Sequence, residues 1–246
     1  MLLGVDFYLQ ASGLLAFAEG ILAPEPEVRR LADATAVLLD NVEPTGQPLY
    51  YMYRGVSHRD RAPLFDQQGI RFDLTVLVPG KIGREFVKTV GHFHALKPDA
   101  KDETFPEYYE VLSGEALYLL QKNSRSGDVE EIIAVEAKKG DKVYVPPNYG
   151  HVTVNPGEDF LVMANLVAAD FPSLYEPFRN KRGAAYYCIE DENGRTEFIR
   201  NPNYHNSVGL KLVPAPNLSQ PTEVVKNKTL YQAFLDHPEA FKFLRA

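Results

Sequence analysis

Between Arg71 and Arg200 the chain is cut into short apolar runs by close-set turn residues. The breaks fall at Pro79/Gly80, Ser113/Gly114, Gly140/Asp141, Pro146/Pro147, Pro156/Gly157 and Asn193/Gly194. The runs 71–78, 107–112, 116–121, 142–145 and 160–164 are rich in Val, Leu, Ile, Tyr and Phe, and many alternate in polarity. Alternating β-branched and aromatic residues bounded by turn formers read as strands. Strands that turn every ~10 residues predict an all-β sandwich or barrel.

Helical signal is confined to the ends. Residues 26–33 give a short candidate near the start. Residues 229–236 and 238–245 give two amphipathic candidates at the far end, the second with Pro238 at a first helical position. Two stretches read as connections: the polar, proline-flanked loop 97–106, placed to overhang its neighbours, and the proline-rich linker 214–221. No internal repeat is visible. A length of 246 residues allows one large or two small domains with a sizeable core. The expected division is a β domain with an N-terminal extension over 1–206 and a helical extension over 207–246.

There are 26 Lys+Arg against 33 Asp+Glu, a formal net charge of −7. A field of that sign disfavours nucleic acid and anionic membrane surfaces as partners. An anionic ligand must therefore be met by a few placed donors. Cys188 has no second cysteine to pair with, which suits a reducing compartment. The start from Met1 to Asp6 lacks the basic residues of a secretory signal, so the expected address is cytoplasmic.

The chemistry concentrates at Gly91, His92, Phe93 and His94. Residues two apart on a strand share a face, so both imidazoles point one way and Phe93 the other. Further on, His151, Thr153 and Asn155 share a face, with Val152 and Val154 opposite. Three histidines and a carboxylate from separate strands can then meet around a divalent transition metal. Glu107 begins the next strand run, with six residues between it and the Gly114 turn and Tyr109 on the same strand face; Glu103 and Glu110 stand nearby. His58, His205 and His237 belong to no constellation. Cys188 reads as an inert buried thiol, Asn155 as a turn residue bonding backbone, and Tyr231, Phe234, Phe241 and Phe243 as packing residues. Lys81 and Arg84 read first as solvated turn charges, with phosphate contact as the alternative.

Gly140, Pro146, His151 and Asn155 resemble the second motif of the cupin superfamily, a small jelly-roll barrel. His92, His94, Glu107 and Gly114 resemble the first, with a loop inserted over 96–106. The similarity narrows over 72–86, 91–95 and 143–151, supported by Val28 to Leu31 and by 186–201, to the archaeal-type cupin glucose-6-phosphate isomerases. It covers roughly residues 4–205.

The resemblance implies one divalent ion (iron, manganese, nickel or zinc) on His92, His94, Glu107 and His151. Glu107, with Tyr109 beside it, is the implied proton carrier. Tyr53, Thr75, Gly91 and Tyr175 match substrate-pocket positions, and a further family tyrosine falls on Val167. The implied activity is interconversion of glucose 6-phosphate and fructose 6-phosphate, by an enediolate or a hydride shift, in a homodimer. The alternatives are another metal cupin enzyme (a different sugar-phosphate isomerase or epimerase, or an oxygenase) and a non-catalytic sugar-binding cupin.

Overall fold

The computed structural model describes residues 4–98, 100–205 and 208–245. Met1, Leu2 and Leu3, and the expected boundary between 206 and 207, lie outside the described residues. The elements that position the site are β1 (Glu27–Arg30), β2 (Pro48–Tyr53), α1 (Ala62–Gln68), β3 (Ile70–Leu77), β4 (Phe93–His94), β5 (Glu107–Ser113), β6 (Glu115–Asn123), β7 (Val129–Lys138), β8 (Lys142–Val145), β9 (Tyr149–Val154), β10 (Leu161–Ala168), β11 (Lys211–Pro214) and α2 (Leu230–Asp236). A six-stranded sheet runs β8-β5-β10-β3-β2-β1, and a four-stranded sheet runs β9-β6-β7-β11. Together they form the all-β cupin barrel.

β10 is buried along its whole length because both faces of its sheet are covered. Its register with β3 pairs Met163 with Thr75, Asn165 with Asp73 and Val167 with Arg71. With β5 it pairs Asn165 with Tyr109 and Val167 with Glu107. Side chains alternate across a strand, so these residues share the inner face. Their neighbours Phe72, Leu74, Val76, Tyr108 and Leu166 face outward into a second apolar cluster. The β5–β6 hairpin turns at Gly114, φ +81°, where a Cβ would stand 2.8 Å from the Phe160 carbonyl.

The outer cluster is closed by the C-terminal segment. Thr229 caps α2, its hydroxyl accepting the Gln232 N–H at 3.1 Å. Tyr231, Phe234, Phe241 and Leu244 are wholly buried against the sheet and α1, each contributing about 1.5–3 kcal/mol by burial. The expected packing role of the terminal aromatics therefore holds for these positions.

Two expectations need correction. Residues 27–30 form edge strand β1 rather than helix, because pairing of Val28 with Tyr51 and Arg29 with Tyr50 overrides local preference; only Leu31–Ala34 turns as a helix. The tail is not all helix either: β11 lies parallel to β7 with Val213 opposite Val135, and Pro238–Leu244 is a 3-10 turn. Among the described residues no helix is long and apolar enough to cross a membrane.

Candidate metal centre

Gly91 holds φ +76°, and a Cβ there would sit 2.4 Å from a Val152 methyl. The chain can therefore lie close on β9. His92 and His151 exchange backbone hydrogen bonds of 3.2 and 3.0 Å, and Phe93 and His94 pair with Leu174 and Ser173. Phe93 points away from the imidazoles and packs on Phe178 with ring centroids 4.9 Å apart. The alternation read from the sequence is the one observed.

Nε2 of His92 lies 3.2 Å from Nε2 of His94. Glu107 Oε2 lies 3.2 Å from Nε2 of both His94 and His151. The four candidate donor atoms all fall within 4.8 Å of one another. Two donors each about 2.1 Å from a shared ion stand about 3.0–3.4 Å apart, so these separations fit one divalent metal. Glu107 Oε2 and His151 Nδ1 are buried without a hydrogen-bond partner. An orphaned carboxylate oxygen is costly unless a cation satisfies it. His94 Nδ1 donates to the Phe105 carbonyl at 2.7 Å, which turns its Nε2 lone pair toward the others. The group can hold a metal ion.

Burial, with His151 and His94 beside it, holds His92 well below the usual imidazole pKa. Burial also lowers His151, against the pull of Glu107. Burial alone would raise Glu107, but contacts with His151 and His94 outweigh it and hold the carboxyl well below the usual range. His92 and His151 are thus held as neutral imidazoles beside an ionised carboxylate, and His94 turns its Nε2 toward the same point, a set ready to ligate. Tyr109 places its hydroxyl 3.1 Å from His151 Nε2; burial and the Glu107 charge push its pKa well up, so it stays protonated.

The cluster forms part of the wall of a cavity of about 620 Å³, mouth included. Of the expected substrate positions, Thr75, Gly91 and Tyr175 line it, as does Tyr109. Tyr53 does not. It has the opposite parity on β2, packs edge-on against Phe17, and accepts the Leu15 N–H at 2.8 Å. Tyr50 takes the inward place instead, its hydroxyl accepting the Val90 N–H at 3.2 Å. Glu103 pairs with Lys97 at 2.5 Å, and Glu110 turns outward to accept the Leu230 N–H at 2.7 Å, which leaves Glu107 as the carboxylate in the cluster. Lys81 bonds Glu190 and Arg84 bonds Asp40, both away from the cavity.

Sequence reading missed Arg54, Arg71, Asp73, Thr89, Asn165 and Phe171 on the cavity wall. For Arg71 and Asp73 the parity shared with Thr75 was the available signal; the others needed the strand register. Elsewhere, Asn155 bonds the carbonyls of Val78 and Asp159 as expected of a turn residue. Burial pushes the Cys188 thiol up to about 12, so it is inert near neutral pH. His58 ties down the N-terminal segment through the Gly4 carbonyl at 3.0 Å.

The barrel and its three-histidine, one-carboxylate cluster define a cupin with a metal-type centre. A family model described as Glucose-6-phosphate isomerase (GPI) matches residues 28–206, and the chain belongs to that family. A glucose-6-phosphate isomerase of Pyrococcus horikoshii is 33% identical over 184 residues, 73% of this chain and 88% of that one. Its namesake in Pyrococcus furiosus is 33% identical over 195 residues, 76% and 93% of the two chains. A solved oxalate decarboxylase from Bacillus subtilis overlaps 51% of this chain and 27% of its own, with 20% identity and a TM-score of 0.35.

Proposed function

We propose that this protein interconverts glucose 6-phosphate and fructose 6-phosphate as a metal-dependent aldose–ketose isomerase. The observation that carries the reading is Glu107, a carboxylate held ionised, whose buried Oε2 has no hydrogen-bond partner and faces His92, His94 and His151 on the wall of the cavity. The reaction moves a proton between C1 and C2, each α to a carbonyl in one of the two isomers. His92, His94, Glu107 and His151 would hold a divalent ion, which would supply the positive charge that polarises a sugar carbonyl and acidifies the adjacent carbon.

The chain's own groups do the rest. The Glu107 carboxylate accepts the proton from one carbon and returns it to the next. Its low pKa makes it a weak base, so it works only on a carbon already acidified. Tyr109, held protonated, donates a hydrogen bond toward the reacting end. Thr75 offers a hydroxyl, Gly91 lets the backbone approach, and Tyr175 closes a side, its ring 5.6 Å from that of His92. Phe171, 4.4 Å from the His94 ring, shields the cluster from water.

The test is a coupled assay with fructose 6-phosphate, before and after chelation and after add-back of iron, manganese, nickel and zinc, all of which suit this donor set. Turnover lost to the chelator and restored by a metal is expected. No turnover with any metal overturns the reading, and metal-dependent oxygen uptake replaces it with an oxygenase. Solvent deuterium at C1 or C2 of product supports proton exchange through an enediolate, and its absence supports a hydride shift. The buried, reduced Cys188 suits a cytoplasmic setting. A homodimer is the assembly the family resemblance implies, read by light scattering of purified protein.

A further inference from the structure

We propose that Arg54 and Arg71, braced by Asp73, form the subsite that takes the phosphate dianion of the sugar phosphate; the inference rests on the isomerase reading above. Among the described residues lining the cavity, these are the only arginines or lysines. Asp73 is buried on the inner face of β3. Its Oδ1 accepts the Gly55 N–H at 2.9 Å and its Oδ2 accepts Arg71 Nε at 2.8 Å. Arg71 Nη1 donates to the Ala169 carbonyl at 2.9 Å, which fixes the plane of the guanidinium and leaves Nη2 for a ligand. Arg54 donates through Nε to Glu27 at 3.0 Å, while its Nη1 stays 3.8 Å from Asp73, beyond a hydrogen bond. Both guanidiniums keep unused N–H groups, and the three inner charges sum to one positive.

The strand register sets the distance. Arg71, Val167 and Glu107 stand in one row across β3, β10 and β5. Strands two apart in a sheet are about 10 Å apart, the length scale of an extended sugar phosphate whose reacting end lies at Glu107. Val167, between them, offers no hydrogen bond, so polar recognition along this row falls to Arg71. A planar fork pre-aimed by a carboxylate and a backbone carbonyl recognises a phosphate monoester better than a mobile lysine.

Metal-loaded wild type, Arg71→Gln, Arg54→Gln and Lys81→Gln are compared in KM for fructose 6-phosphate and in competitive inhibition by inorganic phosphate. Each arginine variant is expected to raise both constants about ten- to hundredfold, the loss of a charged hydrogen bond, with kcat changed far less. Lys81→Gln is expected to match wild type. Unchanged KM in both arginine variants overturns the proposal. So does a phosphate constant that moves while KM does not, which marks a separate anion site. If Arg71→Gln fails to fold, Arg54→Gln decides, since Arg54 bonds no backbone carbonyl. A wild type with no turnover sinks the isomerase reading alone if its melting temperature still rises with phosphate and the arginine variants abolish that rise; no rise sinks the subsite as well.

Discussion

The carbonyl of Phe105 accepts the Nδ1–H of His94 at 2.7 Å, so the inserted loop fixes the orientation of an imidazole in the metal centre. Phe105 is itself held in place. Its ring stacks on Phe171 at 5.2 Å, and its neighbour Thr104 exchanges two hydrogen bonds with Asn148: Thr104 N–H to Asn148 Oδ1 at 3.1 Å, and Asn148 N–H to Thr104 Oγ1 at 2.6 Å. Asn148→Gly removes one bond while keeping the residue's left-handed φ of +71° comfortable. Metal affinity, read by chelator competition, is expected to drop about tenfold. Asn148→Ala adds backbone strain and is expected to melt lower than the glycine variant. Wild-type affinity in both variants contradicts the idea that the loop orients His94.

Glu107 and Glu110 sit on one strand three residues apart and face opposite ways. Glu107→Gln is expected to cut turnover by about 10²–10⁴ with a smaller loss of bound metal, because an amide oxygen coordinates weakly but takes up no proton. Equal losses of metal and turnover mean that Glu107 is chiefly a ligand. Glu110→Ala deprives the buried Leu230 N–H and Lys142 of their partner. It is expected to cost about 1–3 kcal/mol in denaturant unfolding and to leave KM alone.

This contrast also shows what was legible beforehand. The His-x-His alternation and the spacing from Gly140 to Asn155 are short-range, so the sequence shows them directly. The choice of Glu107 over Glu103 and Glu110 came from the cupin resemblance, whose first motif keeps six residues between the carboxylate and the Gly114 turn. Tyr53 was misplaced because β2 carries tyrosines at 50, 51 and 53, and only pairing with β3 shows that 50 is the inward one. Glu27 to Arg30 lacks strand alternation, so nothing local marks it as an edge strand. Arg54 and Arg71 resemble rim charges until the ladder sets Arg71 in one row with Glu107. In each case the missing information is a register between strands far apart in the chain.

The neutral imidazoles set a pH dependence for the metal-free protein. Burial holds His92 and His151 below the ordinary value of about 6.5, so the folded state resists protonation that the unfolded chain accepts. Below pH ~6.5 the unfolded state binds more protons, and stability falls as pH falls, by up to about 1.4 kcal/mol per pH unit for each proton. Glu107, held low in the fold, adds stability above the usual carboxylate range that is lost as pH drops through its folded pKa. Urea unfolding of chelator-stripped protein should therefore show a midpoint that declines from pH 7.5 to 5.5, with a shallower decline in His92→Asn. A midpoint constant over that window contradicts neutral buried imidazoles.

The C-terminal segment offers a stability test that leaves the chemistry aside. Phe234 is wholly buried, stacked on Phe65 at 4.6 Å and edge-on to Phe241 at 5.6 Å. All three belong to the outer cluster, while Tyr109 and Met163 on the cavity side belong to the inner one. Phe234→Ala removes a large ring from a packed site and is expected to cost about 3–5 kcal/mol. In a chain of this size that lowers Tm on the order of 10 °C. Because the six-stranded sheet separates the two clusters, kcat and KM measured well below the new Tm should match wild type. A raised KM at such temperatures means that the tail shapes the cavity through the sheet. Residues 207–246 then belong to the catalytic unit, and the division into a β domain and a separable helical extension fails.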